Sequence, residues 1–241
     1  MKKRVCLLTG ASGLLGSTFC RMAASEYSIA AVYNTHIPPV GSQMMEFRDP
    51  IEPGASLSEN ESRVYAIKAD LTEAGSEKRV VELTLAKFGA IDLVVSAAGR
   101  YETCSIVDGD EFTTTLESML SLHLLAPMRL ARAVISSFWR DSDIENRHFR
   151  RHWLSVSSTA AMTVYPHKGQ GPYAAAKAAL NMATAHMVTE MAPLGVRTNL
   201  IAPNSFPSIV STESVVQSIL RMDQGALSGQ FQRIDRPGPG S

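Results

Sequence analysis

Short apolar runs and amphipathic stretches alternate along the chain. Arg4-Val-Cys-Leu-Leu-Thr9 is too short for a helix and too continuously apolar for a strand wet on one face, so a buried strand is predicted at 4–9. Similar runs predict strands at 29–33, 63–68, 91–96, 153–157, 197–201 and 230–234. Between them, helices are predicted at 14–25, 76–88, 112–139 and 173–191, with a short one at 214–220. Strand and helix alternating in this way predict an α/β fold: a doubly wound parallel sheet of about seven strands with helices on both faces. No repeat or linker divides the chain, so residues 1–241 are expected to form a single domain.

One stretch breaks the alternation. Pro38, Pro39, Pro50 and Pro53 fall between the second and third strands, and each removes a helix donor and restricts its predecessor. An irregular loop is expected over 37–62, either a tolerated surface insertion or a contributor to ligand binding. Composition narrows the function. With 23 Lys and Arg balancing 23 Asp and Glu, the net charge is zero, giving no electrostatic footprint for nucleic acid or an anionic membrane. No apolar stretch is long enough to span a bilayer, and the run after Met1-Lys-Lys-Arg4 is too short for a secretory leader. Cys6, Cys20 and Cys104 are scattered and odd in number, which reads as reduced thiols with Cys6 in the core. A cytoplasmic enzyme of small molecules is expected.

The candidate chemistry lies at the strand ends. Gly10-Ala-Ser-Gly13-Leu-Leu-Gly16 follows the first strand and opens a helix, the context in which glycines allow a tight turn and a close backbone approach to a pyrophosphate at a helix N-terminus. Tyr173 and Lys177 stand one helical turn apart in Pro172-Tyr-Ala-Ala-Ala-Lys177, so phenol and ammonium share a face. A phenol loses its proton near pH ~10, and a nearby cation is expected to lower that value toward neutrality. The alternative is an Ala-rich helix with both side chains in solvent. His148 and His152 are four residues apart but sit among Arg147, Arg150 and Arg151, which reads as a solvated basic surface rather than a metal site.

Thr9-Gly10 with Gly13 and Gly16, Asp70-Leu71-Thr72, Ser96-Ala97-Ala98-Gly99, Ser158, Tyr173 and Lys177 occur in the order and rough spacing of the short-chain dehydrogenases/reductases, which this chain resembles over nearly its whole length. The resemblance implies a Rossmann-like sheet and an NAD(P)-dependent oxidoreductase interconverting a ketone or aldehyde with an alcohol. It implies a catalytic set of Ser158, Tyr173 and Lys177. Ser157 is an alternative to Ser158, although the register of Val156-Ser-Ser favours the latter. His123 stands where the family has an asparagine that holds a water relay to the lysine; it either keeps that relay in a pH-sensitive form or packs in its helix. The implied cofactor residues are Gly10, Ser12, Gly13, Leu14, Leu15, Asn34, Thr35, His36, Asp70, Leu71, Ala97, Ala98, Gly99, Tyr173, Lys177, Pro203 and Ser208. Ala30-Ala-Val-Tyr-Asn-Thr-His36 carries no Asp or Glu for a ribose 2′-hydroxyl, so NADP(H) is expected over NAD(H).

Two departures from the family bear on substrate and turnover. Pro203 through Thr212 passes almost directly to the last helix, so the usual substrate-covering excursion is expected to be truncated, and Asn204 replaces a glycine. They leave open a regulatory or scaffold protein that binds cofactor with little turnover. The Gly10, Gly13, Gly16 spacing also resembles nucleotide-sugar enzymes of the extended branch, but the C-terminal substrate domain of those enzymes is not expected here. A homodimer or homotetramer built on helices 112–139 and 173–191 is the implied assembly.

Overall fold

The computed structural model describes residues 3–38, 64–107, 109–166 and 168–235. The strands are β1 (Arg4–Thr9), β2 (Tyr27–Tyr33), β3 (Val64–Lys68), β4 (Leu93–Ser96), β5 (His152–Val156), β6 (Arg197–Pro203) and β7 (Phe231–Ile234). All pair in parallel, in the order β3-β2-β1-β4-β5-β6-β7. The helices are α1 (Leu14–Ala23), α2 (Ser76–Phe88), α3 (Phe112–Leu120), α4 (Ala126–Val134), α5 (Asp143–His148), α6 (Gly171–Met191) and α7 (Thr212–Gln224). The single helix expected at 112–139 is a continuous helical run interrupted by two π turns, Ser121–Leu125 after α3 and Ile135–Trp139 after α4. The last helix is longer than expected because Ser211 caps it, its Oγ accepting from the Ser214 N–H at 3.2 Å. The loop expected at 37–62 lies outside the described residues, apart from Ile37 and Pro38.

Strand side chains alternate between two apolar layers, as the period of two requires. Cys6, Leu8, Leu93, Val95 and Ile201 face Leu15 and Phe19 of α1 and Val215 and Ile219 of α7. Leu7, Val94 and Trp153 face Val80 of α2, Leu130 and Val134 of α4, and Met187 and Met191 of α6. Both faces are therefore covered, which is why these strands read as unbroken apolar runs. Strand order reverses between β1 and β4, so loops leaving the carboxyl ends of these two strands diverge and leave a crevice there.

The opposite end of the sheet carries a buried polar cluster that corrects one expectation. His152 opens β5 with no solvent exposure, and Arg151 is 5% exposed, so neither belongs to a basic surface. Asp223 of α7 draws His152 in. Its carboxylate accepts from Arg4 at 3.0 Å, from Tyr27 Oη at 2.6 Å, from His152 Nδ1 at 3.1 Å and from Arg197 at 3.3 Å. Asn199 Nδ2 donates to His152 Nε2 at 2.9 Å, which makes the imidazole neutral with its proton on Nδ1. Arg151 instead lies over the Phe138 ring, 4.1 Å from its centroid, with Asp92 at 3.8 Å.

Candidate active site

A cleft of about 480 Å³ opens at the carboxyl ends of β1, β2 and β4. Gly10, Ser12, Gly13, Leu14 and Leu15 form one wall; Asn34, Thr35, His36, Asp70 and Leu71 line one end; Ala97, Ala98, Gly99, His123, Tyr173 and Lys177 line the other. Three expected residues are not among the lining. Ser158 reaches the site through Tyr173, as described below; Pro203 is buried at the end of β6; Ser208 is exposed in the turn that follows.

The residues of this wall fit a dinucleotide. Gly10 has φ +72°, and a Cβ there would come within 2.8 Å of Ala98 Cα and 2.9 Å of Ala97 O, so only glycine lets β1 turn this close to the β4 loop. Thr9 Oγ1 ties that loop down, accepting from the N–H groups of Ala97 and Ala98 at 3.0 and 2.9 Å. α1 starts at Leu14 with no side-chain cap, which leaves its first backbone N–H groups facing the cleft for an anion. At the far end, Asp70 accepts from Thr72 N at 2.8 Å and Thr72 Oγ1 at 2.6 Å, and these bonds hold its carboxyl below the usual range. Asn34 Nδ2 donates to the same carboxylate at 3.0 Å, fixing the end of β2 against the β3 loop.

At the reacting end, Tyr173 rises from the first turn of α6. Burial raises its pKa above the ordinary phenol value, a hydrogen bond with Ser158 opposes this, and Tyr101 adds to the rise. The expectation that Lys177 lowers the phenol does not hold in this structure. Lys177 Nζ is 5.9 Å from the centre of the Tyr173 ring and donates to Val156 O at 2.8 Å. Burial also drives the Lys177 pKa down to about 7, so its own charge is only partly present at neutrality. The two serines differ in their partners, although Ser157, and not Ser158, is among the residues lining the cleft. Ser157 Oγ donates to Asn181 Oδ1 at 2.5 Å and so points along α6, whereas Ser158 Oγ caps the 3₁₀ turn at Thr159–Ala161 and meets Tyr173.

His123 sits in the π turn between α3 and α4, 1% exposed, its ring edge-on to Tyr173 with centroids 5.3 Å apart. Nε2 donates to the Arg100 carbonyl at 2.8 Å. Burial, aided by the Lys177 charge, lowers its pKa to about 3. The imidazole is therefore neutral, and Nδ1 is left as a buried acceptor with no partner. This corrects the expected pH-sensitive relay: His123 does not titrate near neutrality. Gly99 makes room for the ring, since a Cβ there would lie 2.6 Å from His123 Cε1.

Sequence reasoning missed Arg100, Tyr101, Leu122 and Phe206, which also line the cleft. The Tyr101 ring packs edge-on against Tyr173, centroids 5.2 Å apart, and its hydroxyl accepts from Gln170 Nε2 at 2.6 Å. Its position two residues past Gly99, on a loop leaving a sheet edge, was the available signal. The connection from β6 to α7 is short, as expected, and Asn204 serves it: Nδ2 donates to Asp235 at 2.9 Å and Oδ1 accepts from the Ser205 N–H at 2.8 Å.

A parallel sheet with a glycine-lined crevice at its switch point, ending in a half-buried Ser and Tyr beside a buried Lys, defines a nicotinamide-dependent oxidoreductase architecture. A family model described as short chain dehydrogenase matches residues 4–218, and the chain belongs to the short-chain dehydrogenase/reductase family. It is 25% identical over 205 residues to the uncharacterized oxidoreductase YmfI of Bacillus subtilis, covering 84% of this chain and 74% of that protein. It is also 25% identical over 205 residues to a peroxisomal 2,4-dienoyl-CoA reductase of Saccharomyces cerevisiae, covering 85% and 64%. A solved 3-ketoacyl-(acyl-carrier-protein) reductase from Brucella melitensis, complexed with NADH, shares the fold with a TM-score of 0.76 at 18% identity, covering 96% of each chain.

Proposed function

We propose that the protein is a carbonyl reductase that uses NADPH in preference to NADH and converts a ketone or aldehyde to an alcohol. The observation that carries this reading is Tyr173: half-buried, bonded to Ser158 and kept protonated through the neutral range, it is a phenol poised to donate. Nicotinamide, when bound, supplies the hydride. Ser158 orients the substrate oxygen, and Tyr173 Oη gives its proton to that oxygen as negative charge develops there. Lys177, with one of its protons on Val156 O, would offer the others to the ribose hydroxyls of a bound cofactor and to a water. The unpartnered Nδ1 of His123 would accept a hydrogen bond from that water and so position it, while the proton that restores Tyr173 would come from solvent through the water and Lys177.

The cofactor preference rests on the end of β2. Tyr33, Asn34, Thr35 and His36 line the cleft with no carboxylate of their own to repel a 2′-phosphate, and the Asp70 carboxylate at the same end is engaged by Thr72 and Asn34. A cytoplasmic location and a homodimer or homotetramer through the helices at 112–139 and α6 complete the reading, sedimentation testing the assembly. Initial rates on a panel of ketones and alcohols with each cofactor test the function. Turnover with a preference for NADPH of tenfold or more supports it; the same preference for NADH overturns the cofactor assignment. Tight cofactor binding with no turnover on any member overturns the reductase in favour of a cofactor-binding regulatory protein.

A further inference from the structure

Beside Tyr173, two loops form a wall that the catalytic account does not use. One runs from β4 to α3 and carries Tyr101, Ile106 and Val107; the other runs from β5 to α6 and carries Met162 and Val164. The four aliphatic side chains are 76%, 83%, 55% and 88% exposed, an apolar concentration of the kind that marks a ligand or partner site. The wall is built in advance of any ligand. Cys104 N–H donates to Gly169 O at 2.8 Å, Gln170 Nε2 to Tyr101 Oη at 2.6 Å, and Thr159 Oγ1 and Tyr165 Oη bond each other at 3.1 Å. These bonds join the loops to each other and brace the second one internally.

Its charges do not suit an anion. Glu102 pairs with Arg100 at 2.7 Å, the rest of the first loop adds only the acidic Asp108, Asp110 and Glu111, and 159–166 carries no charged residue. Lys168 beyond it stands 5.8 Å from the centre of the Tyr165 ring. Tyr101 links these loops to the reacting centre, since its ring touches that of Tyr173 and, with Phe206, lines the cleft; the four aliphatic side chains lie outside that lining. Between β6 and α7 the described residues form no helix.

We infer that the substrate is an uncharged carbonyl compound bearing an apolar chain or ring, and that this part lies along Tyr101, Ile106, Val107, Met162 and Val164 while the carbonyl meets Ser158 and Tyr173. The inference rests on the reductase reading, so its test uses ligands that are not reduced. Unbranched alkanamides of about four to ten carbons are titrated calorimetrically into the protein saturated with NADP⁺. Full burial of a CH₂ is worth roughly fourfold in affinity, so a wall that leaves half of each group wet gives about twofold per methylene. Val107→Asp combined with Val164→Asp flattens that slope and leaves the cofactor Kd and the affinity of the shortest amide unchanged. Ile144→Asp, on exposed α5 at the other end of the sheet, serves as the control and keeps the slope.

Affinity independent of chain length, or a slope the double variant preserves, overturns the inference. So does a double variant that changes the sedimentation coefficient in place of the slope, since the wall is then a contact between copies. If the slope is found but no ketone or alcohol is turned over with either cofactor, the reductase reading fails and the ligand class stands.

Discussion

Replacing Asp223 by Asn changes one charge and almost no volume at the centre of the buried cluster, so any loss of stability reports electrostatics rather than packing. The carboxylate holds two guanidinium groups, a tyrosine hydroxyl and a neutral histidine, and its side chain is 1% exposed. Removing one partner of a buried ion pair costs about 3–5 kcal/mol, and the amide cannot accept from all four donors. A loss in that range is expected at pH 7, read by urea unfolding. Burial raises the Asp223 carboxyl, but His152, Arg4 and Tyr27 outweigh it and place it at about 2, against an ordinary 3.8. That difference is worth about 2 kcal/mol. The folded value is the lower one, so this stabilisation is complete above about pH 4 and is lost as pH falls toward 2. The His152 pKa is also lowered, by burial first, so the need to keep it neutral removes further stability as pH drops below its ordinary 6.5. The gap between wild type and Asp223→Asn should therefore narrow from pH 5 to pH 3. The variant should still bind cofactor normally, since the cluster lies at the amino ends of the strands and the cleft at their carboxyl ends. A loss below about 1 kcal/mol at pH 7, or a gap that does not respond to acid, would refute this reasoning.

The site offers three shorter tests. Gly10→Ala forces a side chain at φ +72° into the backbone of Ala98, so a loss of about 2–4 kcal/mol and at least tenfold weaker cofactor binding are expected from unfolding and calorimetry. His123→Leu removes the unpartnered acceptor and should lower kcat about tenfold or more with cofactor Kd unchanged, whereas His123→Asn should stay within about threefold of wild type; equal effects of the two would remove His123 from the relay. Because Lys177 in the free protein has a pKa near 7, kcat/KM for NADPH should fall as pH rises through that value and the ammonium is lost, and a flat profile from pH 6 to 9 would contradict its role.

The parts of this molecule governed by local pattern were legible in the sequence. β1 and α2 have the expected limits because an apolar run meets a turn in one case and a 3.6-residue period meets Gly89 in the other. The parts governed by distant partners were not. α5 has no apolar period in Asp143-Ile-Glu-Asn-Arg-His148; Asn146 secures it, donating from Nδ2 to Trp139 O and Leu194 O, both at 2.7 Å. His152 read as surface because its neighbours are arginines, while the carboxylate that makes its burial tolerable lies 71 residues on. The same division holds at the cleft. Gly10, Tyr173 and Lys177 announced themselves by spacing; Tyr101 and Phe206 became visible only once the loops had closed around them. The protonation of the site was also out of reach, because the pKa values of Tyr173, Lys177 and His123 are set first by burial.

The account stands most directly on Tyr173, and Tyr173→Phe tests it with the loss of one hydroxyl and little packing volume. The measurement is kcat for reduction of a verified ketone with NADPH, under conditions where chemistry limits the rate, alongside the cofactor Kd. General acid catalysis contributes about 10²–10⁴-fold, so kcat should fall by that factor while Kd changes less than about threefold. A variant that keeps more than about a tenth of wild-type kcat would contradict the assignment of Tyr173 as the proton donor.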